Sequence, residues 1–203
     1  MESEQYLRYM EEYAKERYIP IIKEETKKLL NILIKLLNPE RILEIGTAIG
    51  YSAIHFAFFA EKAQIITIEK DENMFYMALN NIKKLGLENR ITVIYGDAVE
   101  VLPSFRNSFD FIFLDAAKGQ YIQFLPHCIR LLRNGGLLVS DNISVCGLLE
   151  KEILSVERRK RTMIKKMKRY IGEITNNPIL DTLIIPIDDG VAISYKKEGG
   201  LNE

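Results

Sequence analysis

Residues 41–50 read RILEIGTAIG. The run Arg41–Ile45 is short and apolar and opens directly into a turn bounded by Gly46 and Gly50. Such a run reads as a buried strand that turns toward a helix, because glycine permits a tight bend and lets a ligand approach the backbone. Residues 51–60 supply that helix. The turn is not the dinucleotide fingerprint GxGxxG, since Ala48 stands where the second glycine belongs, and this argues against hydride transfer from a nicotinamide cofactor.

The same unit recurs downstream. Residues 65–68 (IITI) form a second strand ending at Glu69, and residues 73–85 a helix closed by Gly86. Ile91–Tyr95 and Phe109–Leu114 are further strands, ending at Gly96-Asp97 and Asp115. A helix over residues 121–132 stops at Asn134-Gly135-Gly136, and residues 137–140 form a fifth strand before Asp141-Asn142. A long basic helix over residues 150–174 precedes two closing strands, 182–186 and 191–195, around the turn Asp188-Asp189-Gly190. Upstream, residues 4–17 form a helix that Pro20 interrupts. Residues 24–38 form another, with an apolar stripe at Leu29, Leu33, Leu36 and Leu37, ended by Asn38-Pro39.

Short apolar strands alternating with helices imply a parallel sheet covered on both faces. The fold class is therefore α/β: a doubly wound, Rossmann-like, seven-stranded sheet, mostly parallel with an antiparallel last strand. All 203 residues read as one domain, with residues 1–38 as helices covering the site and 39–197 as the core.

Composition narrows the function classes. The chain is 47% hydrophobic and 28% charged, which suits a globular domain. Its 28 Lys and Arg balance 28 Asp and Glu, so global charge gives no sign of a polyanionic partner, and nucleic-acid contact would need a local basic patch. Cys128 and Cys146 fit no metal or redox spacing and read as inert thiols, and His55 and His127 read as structural. The N-terminus is no signal peptide, and no apolar run approaches the roughly 20 residues of a membrane span. The expectation is a cytoplasmic protein with no membrane contact.

In open parallel sheets, ligands bind beyond the carboxyl ends of the strands. Those ends carry Glu44 to Gly50, Glu69, Asp97, Asp115, and Asp141 with Asn142. One acidic residue after a strand can be a helix N-cap; five in register along one edge indicate a site. Glu69 lies 23 residues beyond Gly46, a distance at which an acidic group accepts both hydroxyls of a ribose, and Asp97 is placed for an adenine amino group. The series fits an adenosine ligand without a phosphate chain.

The runs RILEIGTAIGYSAI, YGDA, FIFLDAAKGQY and GGLLVSDN resemble the metal-dependent O-methyltransferases of the catechol and caffeoyl-CoA type. They look closest to the bacterial tRNA 5-hydroxyuridine methyltransferases, with IPII and IPIDDGVAISYKK fitting the same branch. The resemblance spans about Leu7 to Lys197; the branch usually carries a further helical segment ahead of that stretch. It implies S-adenosylmethionine as cofactor, with Gly46 and Ser52 near its methionine moiety, Glu69 on the ribose, Asp97 and Ala98 at the adenine, Ile22 contributing backbone, Glu44 and Asp115 as further cofactor-binding residues, and Asp115 also as catalytic. It further implies Asp115, Asp141 and Asn142 as ligands of Mg²⁺ or another divalent cation, and Lys118 as general base.

The chemistry of the residues agrees. Methyl transfer from a sulfonium needs an oxygen held in line with the S–CH₃ bond, and a cation on hard oxygen ligands eases loss of the hydroxyl proton. Two adjacent acceptor oxygens suit such a cation, a pattern shared by a catechol and by 5-hydroxyuridine. The run Arg158, Arg159, Lys160 and Arg161, continued by Lys165, Lys166, Lys168 and Arg169, is the local basic patch that could meet tRNA phosphates. The expectation is a tRNA wobble 5-hydroxyuridine O-methyltransferase, with a small-molecule catechol-type enzyme as the alternative. A homodimer is expected, with the tyrosines of the first helix (Tyr6, Tyr9, Tyr13) as a partner face or as packing on the body.

Overall fold

The structure, a computed structural model, describes residues 2–144 and 158–198. Seven strands form one sheet in the order β3-β2-β1-β4-β5-β7-β6. They are β1 (Arg41–Ile45), β2 (Gln64–Glu69), β3 (Ile91–Tyr95), β4 (Phe109–Leu114), β5 (Leu132–Ser140), β6 (Leu180–Ile185) and β7 (Val191–Lys196). The order reverses between β1 and β4, so the loops leaving these two neighbours diverge and open a crevice. The last strand is the antiparallel one, as its sequence pattern implies; it lies between β5 and β6 and runs against both.

The central strands β1 and β4 are mostly apolar because both faces are covered there. Alternate residues divide between two cores. Ile42, Phe111 and Phe113 face helices α1 (Glu2–Glu16), α2 (Glu24–Leu37), α3 (Tyr51–Phe59) and α4 (Glu72–Lys84). Leu43, Ile112, Leu114 and Leu138 face α6 (Tyr121–Leu131) and α7 (Arg158–Thr175), with the short α5 (Ala98–Val101) at their side. On the first face the Phe56 ring meets Phe111 and Phe113 edge-on, centroids 5.9 and 5.4 Å apart. Each such buried ring contributes roughly 2 kcal/mol. Among the described residues no helix is long and apolar enough to cross a membrane.

Two expectations change. The inward row of α2 is Thr26, Leu30 and Ile34, whereas Leu36 is 80% exposed and Leu29, Leu33 and Leu37 only flank the contact. The four leucines span more than one face, and the i, i+4 row beside them is the one that meets the sheet. Asn134-Gly135-Gly136 does not stop a helix: α6 ends at Leu131 and the glycines lie inside β5, where the register to β4 shifts between Phe109 and Phe111. A Cβ on Gly136 would stand 2.8 Å from the Asp110 carbonyl oxygen, so close strand approach sets that glycine. Of the basic helix, residues 158–175 are described, and the first part of the expected span lies outside the described residues. The tyrosines of α1 divide too: Met10 and Ala14 anchor the helix on the body, Tyr6 and Tyr13 are half-buried, and Tyr9 is exposed.

A buried polar bar secures the turn after β1. Glu44 is fully buried opposite Thr67 of β2, and its carboxyl accepts the hydroxyls of Ser52 and Thr67. Thr47 extends the bar to Thr67. Gly46, at φ +100°, is wedged against the next turn: a Cβ there would lie 2.1 Å from the Asp115 carbonyl oxygen.

Two outcomes follow. Gly46→Ala forces backbone against backbone and should cost about 3 kcal/mol or more in a denaturant titration; an unchanged midpoint would contradict the packing. Burial pushes the Glu44 carboxyl up to about 8, from an ordinary 4.5. The native state thus keeps a proton that the unfolded chain gives up, and this contribution is complete below about pH 4.5 and lost as pH rises toward 8. Glu44→Gln keeps a neutral acceptor, so its stability relative to wild type should rise from pH 5 to pH 8; a difference that stays constant with pH would show that Glu44 is ionised in the fold.

Candidate active site

The carboxyl ends of the strands open into a cavity of about 620 Å³. It is lined at one end by the turn after β1 and by Glu69, Gly96, Asp97 and Ala98; at the other by Asp115, Lys118, Asp141 and Asn142. Residues 17–23, between α1 and α2, form an outer wall that includes Ile22.

The Glu69 carboxylate organises the first end. One oxygen accepts the N–H groups of Thr47 and Ala48 at 3.1 and 2.8 Å, the other those of Lys70 and Asp71 at 2.9 and 2.8 Å. A carboxylate has about four lone-pair sites. Ribose hydroxyls at Glu69 would therefore share or replace the bonds from the β1 turn. Asp97 uses one oxygen to cap α5 through the Val99 N–H (2.9 Å), and Gln120 approaches the other at 3.4 Å. Ser52 reaches the cavity wall with its hydroxyl bonded back to Glu44.

Glu44 departs from the expectation of cofactor contact. It is not among the cavity-lining residues; its side chain points beneath the turn, because alternation along β1 aims it at α3. Its role toward a ligand is to hold Ser52 and the turn.

At the second end, β4 and β5 are hydrogen-bonded neighbours, so Asp115 and Asp141 leave the sheet side by side. Asp115 Oδ1 receives the Asn142 amide at 3.1 Å and Lys118 Nζ at 3.2 Å. Asp141 is buried and accepts the Asn142 N–H at 2.7 Å. Burial, then the neighbouring Asp115 charge, push its carboxyl up to about 7. Two close carboxylates and one amide oxygen form a hard-oxygen set that suits a small divalent cation. Asn142 donates to Asp115 as it stands, and a half-turn of its amide presents the oxygen instead. The set holds two carboxylates, and among the described residues no group of three His, Cys, Asp or Glu forms a metal cluster.

The expected structural roles of the histidine and cysteine agree with their settings. His55 is buried against Asn31, and burial pulls its imidazole down to about 4. Cys128 is buried, its thiol pushed up to about 12; Cys146 lies outside the described residues. Helix α7 packs against α6 and the turn Lys118–Gln120 through Ile164, Met167 and Tyr170, leaving Lys165, Lys166, Lys168 and Arg169 exposed. The side chains of Arg158, Arg159 and Lys160 lie outside the described residues, and Arg161 is half-buried.

Tyr51, Asp188 and Asp189 also line the cavity and were not singled out in the sequence. Tyr51 is fixed by hydrogen bonds from its hydroxyl to Glu11 and from Lys27. Asp188 and Asp189 carry a signal that could have found them: β6 runs parallel to the other strands, so the acidic turn after it falls on the same edge as Glu69 and Asp115.

Comparison with known proteins fits this geometry. Residues 2–197 match the family model described as O-methyltransferase. A catechol O-methyltransferase of Niastella koreensis is 30% identical over 180 residues, covering 84% of this chain and 79% of the relative. A caffeoyl-CoA O-methyltransferase of Populus kitakamiensis is 29% identical over 173 residues, covering 82% and 74%. Among solved structures, a Staphylococcus aureus protein provisionally described as a caffeoyl-CoA O-methyltransferase superposes with a TM-score of 0.88 at 35% identity, covering 94% of this chain and 91% of that one. The SAH-bound methyltransferase PaMTH1 of Podospora anserina superposes with a TM-score of 0.84 at 25% identity, covering 95% and 88%. With nearly its whole length matched and the site laid along the expected edge, the chain belongs to the O-methyltransferase family, the S-adenosylmethionine-dependent enzymes of the caffeoyl-CoA and catechol type.

Proposed function

We propose that this protein transfers the methyl group of S-adenosylmethionine to a hydroxyl oxygen that has a second oxygen beside it, and that the acceptor is 5-hydroxyuridine at the tRNA wobble position. The observation that carries the reading is the meeting of Asp115, Asp141, Asn142 and Lys118 at one end of a cavity whose other end is built on Glu69 and Asp97. The cofactor's adenosine belongs at the Glu69–Asp97 end, and its sulfonium then faces the carboxylates.

A divalent cation held by Asp115, Asp141 and Asn142 would lower the acceptor hydroxyl's pKa and fix two adjacent oxygens. Lys118 Nζ, 3.2 Å from Asp115, would take the proton the hydroxyl releases only as a neutral amine, which requires that its own proton be lost first. The acceptor oxygen forms the new O–CH₃ bond as the S–CH₃ bond breaks, leaving S-adenosylhomocysteine. The apolar wall at Ile21, Ile22 and Phe124 limits water near the transferring methyl.

The tRNA assignment draws on the exposed lysines of α7, which stands directly against the turn carrying Lys118. The names of the relatives supply a second reading, a catechol-like small molecule with the same pair of oxygens.

With labelled S-adenosylmethionine and Mg²⁺, label should enter undermodified tRNA rich in 5-hydroxyuridine and be lost with EDTA. Label entering only a simple catechol would move the acceptor to small molecules. Asp141→Ala should abolish turnover while leaving S-adenosylhomocysteine binding within about threefold; full activity in chelator would sink the cation role. Replacing Lys165, Lys166 and Lys168 together with Gln should weaken tRNA use and reduce the slope of log affinity against log salt by about 2, with catechol turnover unaffected. An unchanged salt slope would make this face of α7 a solvated surface.

A further inference from the structure

The turn between β6 and β7 touches both sides of the cavity. On one side, Asp188 Oδ2 accepts the Thr26 N–H at 2.8 Å and the Thr26 hydroxyl at 3.0 Å. Thr26 is in the first turn of α2, whose own N-cap residue, Lys23, makes no capping bond with its side chain. Asp188 therefore caps α2 from 162 residues away. A carboxylate suits that place, because the first N–H groups of a helix lack internal partners and carry partial positive charge. Lys23 Nζ adds an ion pair to Asp189 Oδ2 at 2.8 Å.

On the other side, the same turn holds the segment leaving Asp141 and Asn142. The Asp189 carbonyl accepts the Ser144 N–H at 2.9 Å and its hydroxyl, and the Gly190 carbonyl accepts the Ile143 N–H at 3.0 Å. The approach is tight, since a Cβ on Gly190 would lie 3.0 Å from Ser144 Cβ. The turn thus links the start of α2, which directly follows the cavity wall of residues 17–23, to the segment bearing Asp141 and Asn142.

We propose that Asp188 is a positioning residue for methyl transfer: it sets the wall of residues 17–23 against the Asp141–Asn142 floor, and so controls how tightly the cofactor is held and how its methyl lines up with the acceptor. In-line transfer is sensitive to displacements of about 1 Å, and the turn that carries Asp188 meets both supports of the reacting pair, through the Asp188 carboxylate at Thr26 and through the Asp189 and Gly190 carbonyls at Ser144 and Ile143. The proposal rests on the cofactor assignment above and is independent of which acceptor is used and of the cation.

The test is calorimetric titration of S-adenosylhomocysteine into the full chain, with KM values measured alongside. Asp188 has φ +48°, so Asp188→Gly removes the carboxylate without backbone strain. Its Kd should rise about fivefold or more, a fraction of what two hydrogen bonds to a charged acceptor contribute directly, because they act on the cofactor through α2. Asp188→Asn should stay within about twofold of wild type, since its amide oxygen accepts both bonds and Asn tolerates this backbone conformation. KM for S-adenosylmethionine should rise with Kd while KM for the acceptor holds, a split that loss of folded protein would not produce. Thr26→Val, which removes one of the two bonds and leaves the turn intact, should weaken binding about twofold and add nothing on top of Asp188→Gly. An Asp188→Gly Kd within twofold of wild type, or an Asp188→Asn as weak as Asp188→Gly, would overturn the proposal. If Asp188→Gly does not fold, an unchanged Kd in Thr26→Val overturns it alone. Failure of the wild type to bind S-adenosylhomocysteine would instead overturn the cofactor reading, and this proposal with it.

Discussion

Four backbone N–H groups from two different turns end on the carboxylate of Glu69, and this end of the cavity takes its shape from that convergence. The two turns follow adjacent parallel strands, β1 and β2, whose carboxyl ends would otherwise present unpaired backbone donors to the cavity. One side chain satisfies all four, and beneath it Glu44, Ser52 and Thr67 tie the same turn to α3 and β2. Gly46 then closes against the Asp115 carbonyl, which fixes the turn at the Glu69 end to the first residue of the carboxylate end. The two halves of the site are mechanically continuous for this reason: a side chain larger than hydrogen at residue 46 would separate them.

The second half sets two carboxylates, a lysine and an amide close together. Asp115 and Asp141 leave neighbouring strands, and the raised pKa of Asp141 reports the cost of setting two carboxylates together away from water. Lys118 and the Asn142 amide meet Asp115 within the site. Asp188 stands near enough to add to the charge felt by Asp141 while its own oxygen is committed to the start of α2. Acidic groups thus serve two purposes on one edge, some facing the reaction and some holding backbone in place.

The order of the elements and the placing of the site along one edge were legible because they depend on features local in sequence. Arg41–Ile45 and Phe109–Leu114 are mostly apolar and open into Gly46 and Asp115, and such runs favour a covered parallel strand. What escaped depends on distant contacts. Gly135-Gly136 carries a helix-stop pattern, yet it serves an irregular pairing with β4. Glu44 and Glu69 look alike as acidic residues at strand ends, and only the direction of each side chain separates one buried under the turn from one that gathers it. The service of Asp188 to Thr26 joins positions 162 residues apart, and no spacing in the chain announces it.

The central claim is that Asp115, Asp141 and Asn142 form a cation site serving methyl transfer. It is tested most directly by titrating Mn²⁺ into the protein in the presence of S-adenosylhomocysteine and counting bound ion by electron paramagnetic resonance. One Mn²⁺ per chain is expected, lost in Asp115→Ala and Asp141→Ala and competed by Mg²⁺. No bound Mn²⁺ in the wild type, together with methyl transfer that continues in EDTA, would contradict it.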